Sequence, residues 1–438
     1  MVLRPARTRR AGFLEWGPNR LADVAESEKP SADKEMMKAL LLENIHPEAV
    51  RLLTERGIEV SSMRGALDEA ELVDALPGID LLGIRSKTNV TATVLEAAPD
   101  LLAVGAFCIG TNQIDLAAAA ARGTVVFNAP FSNTRSVVEL VIAEIIAMAR
   151  HLTDKNAKMH AGVWDKSATG AHEVRGRTLG IVGYGNIGSQ LSVVAESLGM
   201  RVIFYDVADK LALGNARRCD SLEQLLTEAE TVSLHVDGRA GNAGLFGAEQ
   251  FAMMRPRSLF LNLCRGIVVD HDALREHLLS GHLAGAAVDV FAEEPKEAGE
   301  AFESSLQEIP NVILTPHVGG STEEAQEDIG RFVAGKLREF AAGGTTTMSV
   351  NMPQVQVDDG TDRYRILHVH HNVPGVLATM NGVLADFGVN IEGQVLSTRG
   401  DVGYVITDAG APLTAALLDK LAGLPETVRL RAIGATAA

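Results

Sequence analysis

The run Gly183-Tyr184-Gly185-Asn186-Ile187-Gly188 constrains this chain more than any other. Three glycines at G-x-G-x-x-G spacing mean little alone. Here they follow Thr178–Val182, a short apolar run that predicts a buried strand, and open a helical segment that Gly199 ends. A second strand-like run, 200–205, leads to Asp206, 18 residues after Gly188. Strand, glycine turn, helix, strand and acid in this order form the dinucleotide-binding fingerprint. Gly183 permits the tight turn, Gly185 lets the backbone approach a pyrophosphate, and Gly188 allows close helix–strand packing. The N–H groups at the helix start then face the phosphates. Asp206 suits a ribose diol and repels a 2′-phosphate, so the predicted cofactor is NAD rather than NADP.

The surrounding pattern extends this unit. Segments 39–42, Leu81–Ile84 and 102–104 read as strands, with a helix over 47–56 closed by Gly57. Further strands are predicted at 231–236, 258–263, 286–290 and Val312–Leu314. Strands alternating with helices predict parallel sheets covered on both faces. Ser136-x-x-Glu139 matches a capping box and predicts a helix to about residue 151, long enough to bridge two domains. Another helix runs from Ser321 to about Phe340, and 341–347 reads as a linker. The last 75 residues change order: strand 365–369, a helix opened by Pro374, strands 389–397 and 402–408, helix 413–421 and strand 427–432. That βαββαβ order is ferredoxin-like.

Composition narrows the function. The 438 residues carry a net charge of −16, which argues against general nucleic-acid binding and requires local cations for any anionic substrate. Cys108, Cys219 and Cys264 match no zinc or redox spacing and fit a reducing cytoplasm; no metal is expected. No apolar run reaches membrane-spanning length. Residues 1–35, with Arg4, Arg7, Arg9 and Arg10 first and then a polar stretch, read as a disordered extension. A start codon placed too early, with Met36-Met37 as the true beginning, and an organellar address are the other readings.

Three polar groups fall where strands end. Arg265 follows strand 258–263, Glu294 follows 286–290, and His317 follows Val312–Leu314. Ligands of open α/β sheets bind at the carboxyl ends of strands. NAD-linked oxidation of an alcohol removes a hydride and a proton. His317 can take the proton, Glu294 can fix its tautomer and raise its pKa, and Arg265 can grip a carboxylate with two parallel bonds. The predicted cofactor set is the 183–188 turn and Asp206, with Cys264, Asp289, Gly319 and Gly320 at neighbouring strand ends. Asp289 reads equally as a second tuning carboxylate and as a structural strand-end residue.

From Gly183 through Gly320 the chain resembles the D-2-hydroxyacid dehydrogenase family, which uses Arg, Glu and His in this order. The resemblance assigns the catalytic roles to Arg265, Glu294 and His317. It implies two Rossmann-like or flavodoxin-like lobes, the cofactor lobe (133–319) inserted into the substrate lobe (36–132 and 320–345). Runs 84–88, 107–113, 128–136 and 162–166 resemble the phosphoglycerate dehydrogenase branch, bacterial and serine-regulated, over nearly the whole chain from Lys38. That likeness implies 3-phosphoglycerate as substrate and a homotetramer. Arg85 and Lys87, with Ser86 and Asn133 as donors, are the substrate candidates. The resemblance also implies that Trp164 and Lys166 lie in a segment that reaches a neighbouring subunit, where Lys166 could serve the partner's site.

After a linker (346–361), residues 362–438 resemble a regulatory domain of the ACT type, with its turn at His370-His-Asn-Val-Pro-Gly-Val-Leu377. The resemblance points to His370, Asn372 and Asn390 as ligands for serine, a zwitterion suited to uncharged two-way groups. His371 departs from the Glu that relatives often carry. A dimerisation domain without ligand is the alternative. Other readings of the whole chain are a dehydrogenase for glyoxylate, hydroxypyruvate or lactate, and a non-catalytic NAD-sensing regulator. Reduction of 2-oxoglutarate to 2-hydroxyglutarate is a further expected side activity.

Overall fold

The computed structural model describes residues 36–295, 299–358 and 363–434, and the backbone of 436–437. The expected extension 1–35 and the end of the expected linker lie outside the described residues.

The first sheet is parallel: β1 (Lys38–Leu41), β2 (Glu59–Ser62), β3 (Leu81–Ile84), β4 (Ala103–Ala106) and β5 (Val125–Asn128), in the order β2-β1-β3-β4-β5. β3, β4 and β5 are buried at every residue, as continuous apolar runs require of strands covered on both faces. The second sheet holds β6 (Thr178–Val182), β7 (Arg201–Tyr205), β8 (Arg217–Arg218), β9 (Thr231–Leu234), β10 (Ser258–Asn262), β11 (Leu283–Val288) and β12 (Val312–Leu314). Its order, β12-β11-β10-β9-β6-β7-β8, reverses direction between β6 and β9, the switch point where such sheets bind ligands.

The helix Glu323–Gly343 returns from the second lobe to the first. Its Ile329, Val333, Leu337 and Phe340 are buried in one core with Leu41, Ala103, Phe107 and Phe127. The cofactor lobe is therefore an insertion in the other, as the resemblance implies.

The C-terminal module comprises β13 (Tyr364–His371), β14 (Ile391–Arg399), β15 (Val402–Ala409), β16 (Leu413–Thr414), β17 (Thr427–Ile433) and β18 (Thr436–Ala437). Four of these form an antiparallel sheet in the order β14-β15-β13-β17. Alternation gives it two apolar faces. Ile366 and Val405 pack under the helices Val376–Asp386 and Ala415–Ala422, while Leu367, Val369, Tyr404 and Ile406 join the core of the first lobe. Arg365, fully buried, donates to Asp408 at 2.6 and 3.0 Å and to the carbonyls of Gly343 (3.0 Å) and Asp358 (2.8 Å).

Several local expectations are corrected. Ser136 and Glu139 form no capping box, because the helix starts at Thr134 with Asn133 as its N-cap. Ser136 Oγ instead meets Thr322 Oγ1 at 2.9 Å, and Glu139 pairs with Arg135 one turn back. The helix ends at Ala149, and left-handed His151 starts another, Leu152–His160, which buries no residue and so leaves no apolar period to read. Pro374 does not open its helix: Gly375, left-handed, is the N-cap of Val376–Asp386. Nor is 341–347 a loose linker. The helix continues to Gly343, and Thr346, Asn351, Met352 and Val355 beyond it are buried. Asn351 closes this segment onto the first lobe by accepting from Val126 N–H and donating to the Thr124 carbonyl.

Candidate active site

The glycine turn fits a dinucleotide for steric reasons. Gly183 has φ +93°, and a Cβ there would lie 2.5 Å from the His235 carbonyl oxygen. A Cβ on Gly188 would collide with the Gly183 carbonyl, but at Gly185 it would meet nothing within 4 Å. The turn is thus closed towards the protein and open where a pyrophosphate approaches. From this turn the helix Asn186–Ser197 carries Ile187 into the adjacent core and turns its amino end outward. Asp206, at the end of β7, accepts the N–H groups of Tyr184 and Ala208, each at 2.8 Å. The Tyr184 ring itself points away from the turn: it stacks on Phe204 with centroids 3.7 Å apart and is buried.

The loops after β10, β11 and β12 bring Arg265, Glu294 and His317 to one sheet edge. His317, at φ +53°, has Nδ1 2.8 Å from Glu294 Oε2 and 3.1 Å from Oε1. A carboxylate only accepts, so Nδ1 carries the hydrogen and Nε2 is left for another partner. Glu294 also accepts the Phe291 N–H at 3.1 Å, which fixes its own loop. The hydrogen bond to Glu294 raises the His317 pKa against the opposing effect of burial. Burial pushes the Glu294 carboxyl up, but the His317 and Phe291 bonds together with nearby Arg265 hold it below the usual range.

Asp289 stands at the strand end and also adds to the raised pKa of His317. Its buried carboxylate accepts from Thr315 Oγ1 (2.6 Å), Val318 N–H (2.8 Å) and Gly319 N–H (2.8 Å), anchoring the loop on which His317 stands. Asn262, which the sequence reading passed over, does the same for Arg265: its amide donates to the Arg265 carbonyl and its oxygen accepts from Cys264 N–H and Sγ. Burial drives the Cys264 thiol up to about 11, so it remains a protonated donor. A polar residue ending an apolar strand was the available signal for Asn262.

The two lobes meet at this edge. Arg265 Nη1 donates to its neighbour's carbonyl at Cys264, while Nη2 lies against Gly110 of the first lobe. Cys108 Sγ lies 3.5 Å from the Arg85 carbonyl and 3.2 Å from that of Gly110, so the loop after β3 adjoins the segment that Arg265 faces. Gln113, also passed over, donates to the Arg85 carbonyl at 2.6 Å. Across the hinge, Asn133 packs against Gly320, and its Oδ1 is buried without a partner.

Two predicted groups are not brought together within one chain. Lys166 is exposed, and Asp154, in the helix just before its segment, accepts the N–H of Asn311 at the amino-terminal end of β12. Lys155 of the same helix donates to the carbonyls on either side of Lys166, at Asp165 (3.5 Å) and Ser167 (2.6 Å), which ties Lys166 to the edge opposite His317. Asn390 precedes β14 at the Ala409 end of the sheet, whereas His370 pairs with Gly403 at the other end. The run of β15 from Gly403 to Ala409 separates them, about 20 Å at strand rise. His370 is buried with Nε2 unpartnered; Asn372, exposed, donates to the Gly400 carbonyl.

Residues 142–319 match the NAD binding domain of the D-isomer specific 2-hydroxyacid dehydrogenases, and 366–429 match the AHAS small subunit-like ACT domain. The chain is 48% identical to the D-3-phosphoglycerate dehydrogenase of Haemophilus influenzae over 92% of its own length and 99% of that protein's. The D-3-phosphoglycerate dehydrogenase of Dictyostelium discoideum is 46% identical, over 92% and 98%. A solved structure from Thermus thermophilus superposes with a TM-score of 0.65 at 31% identity, covering 72% of this chain and 100% of that one. With Arg265, Glu294 and His317 on one edge beside a dinucleotide turn, this chain belongs to the D-3-phosphoglycerate dehydrogenase group of the D-isomer specific 2-hydroxyacid dehydrogenases and is an NAD-dependent enzyme of that family.

Proposed function

We propose that this enzyme oxidises D-3-phosphoglycerate to 3-phosphohydroxypyruvate, the opening step of L-serine biosynthesis. One observation carries the reading. The side chains of Arg85 and Lys87 have no hydrogen bond or ion pair among the described residues, and their loop adjoins, through Cys108 and Gly110, the Arg265 guanidinium in a chain of net charge −16. A substrate with an anion at each end suits two cationic positions with a reactive carbon between them. Arg265 holds the carboxylate, and Arg85, Ser86, Lys87 and Asn133 receive the phosphate. His317 Nε2 takes the C2 hydroxyl proton as C2 becomes a carbonyl carbon, with Glu294 stabilising the imidazolium. Bound NAD supplies the hydride acceptor. 2-Oxoglutarate, also a small dianion, is a slower second substrate, reduced to 2-hydroxyglutarate.

Serine is the proposed effector, and the enzyme a cytoplasmic homotetramer. β14 is a sheet edge with Val395 and Leu396 exposed. Antiparallel pairing of two such edges carries Asn390 of the partner subunit towards His370 and Asn372, closing a pocket one chain leaves open. Trp164, 77% exposed beside exposed Val163 and Met159, supports a second contact in which Lys166 serves the neighbour's site.

The test compares kcat/KM for D-3-phosphoglycerate, D-glycerate and D-lactate in the parent and in Arg85→Ala. A preference for the phosphorylated acid that collapses at least 10-fold in the variant is expected. Equal use of all three acids by the parent contradicts the substrate assignment.

A further inference from the structure

Glu43 follows β1 with its side chain 7% exposed and its backbone left-handed at φ +64°. Bulky residues seldom adopt that conformation, and it persists only where surroundings fix it. Here the Glu43 N–H donates to the Gly65 carbonyl at 3.0 Å, and the next residue, Asn44, is left-handed as well. The turn aims the carboxylate beneath the loop after β3, more than 40 positions away. Oε1 accepts the N–H of Arg85 (3.1 Å) and of Thr88 (2.9 Å); Oε2 accepts the N–H of Lys87 (3.0 Å). Thr88 is fully buried there.

Successive N–H groups in a loop commonly cradle an anion. In this loop the protein's own carboxylate already occupies that cradle. The N–H groups of Arg85, Lys87 and Thr88 are spent on Glu43, while the Ser86 and Lys87 side chains are exposed and that of Arg85 half-buried. We propose that Glu43 is a positioning residue for the anionic end of the substrate: it fixes the loop so that recognition is by side chains rather than by the loop's own N–H groups. The inference rests on the reading of Arg85 and Lys87 as the phosphate-side residues. Glu43 touches neither substrate nor cofactor in this arrangement, so its effect is on the affinity of one substrate end and not on hydride transfer.

Glu43→Gln tests it, because the amide puts N–H donors where the loop needs acceptors. Expected is a rise of at least 10-fold in KM for D-3-phosphoglycerate, with kcat and the KM for NAD changed less than 3-fold. D-Glycerate, which lacks the phosphate, is expected to show no such rise. An unchanged KM, or equal losses for both acids, overturns the proposal. Should the amide variant not fold, Glu43→Asp, which keeps the charge and shortens the reach, is read by the same criteria. Arg85→Ala separates the two ideas: if it discriminates between the acids and the Glu43 variants do not, Glu43 alone is misassigned. If Arg85→Ala fails to discriminate, the phosphate-side reading falls and the Glu43 inference with it.

Discussion

His317 Nδ1 lies 2.8 Å from Glu294 Oε2, and the two residues are 23 positions apart on loops that follow different strands. The pair gives the imidazole one defined tautomer and a raised pKa. A base works only when neutral, so alcohol oxidation declines as pH falls through that raised value. In Glu294→Gln the imidazole loses its anionic partner and its pKa returns towards the ordinary value. The acidic limb of kcat/KM against pH is therefore expected to move to lower pH, with a plateau about 10- to 100-fold lower. A limb that stays in place separates Glu294 from the proton transfer.

The contact between Gly188 and the Gly183 carbonyl leaves no room for a methyl group, and dinucleotide binding is expected to depend on it. Gly188→Ala must push the helix off the turn. Expected is a loss of NAD affinity of at least about 10-fold, near 1.4 kcal/mol, with the fold retained. Fluorescence titration with NADH checks this, and an unchanged dissociation constant refutes the steric argument.

Glu144 lies in the bridging helix with both carboxyl oxygens buried and unpartnered. Burial, with a smaller contribution from Asp289, pushes its pKa up to about 8. A carboxyl raised above its unfolded value costs nothing at low pH and destabilises increasingly as pH rises from about 4.5 towards 8, by about 3 kcal/mol at pH 7. Glu144→Gln removes the titration and keeps the shape, though its amide is also unsatisfied. The variant is expected to be more stable than the parent by about 1–3 kcal/mol at pH 8, and the gap to close by pH 5. Urea midpoints at the two pH values are the check; a pH-independent difference removes Glu144 as the cause.

Much of this architecture is legible in the sequence because it repeats a period. Thr178–Val182, the glycine turn and Asp206 are local, so their spacing alone sets out the cofactor site. Arg265, Glu294 and His317 are readable because each follows an apolar run. What stays hidden has no local signature. Helix Leu152–His160 buries nothing, and Ser136-x-x-Glu139 looks like a cap until Arg135 and Thr322 claim its side chains. Glu43 reads as one acid after a strand, since its partners arrive only when β1 and β3 pair. Asn390 and His370 are 20 positions apart in sequence yet at opposite ends of one sheet, a separation that register fixes and composition does not.

If Asn390 of the partner subunit completes the pocket, Asn390→Ala and Asn372→Ala are each expected to raise the serine concentration for half-inhibition at least about 10-fold, as loss of one or two good hydrogen bonds implies. Inhibition curves that coincide with the parent's remove serine from these residues.

The most direct test of the central claim is the initial rate of NADH formation from D-3-phosphoglycerate by the parent and by His317→Ala. Robust turnover in the parent and a loss of about 10²- to 10⁴-fold in kcat for the variant, with NADH binding intact, is the expected result. Undiminished turnover in His317→Ala, or none in the parent in either direction, contradicts the assignment of this edge as the site of hydride transfer.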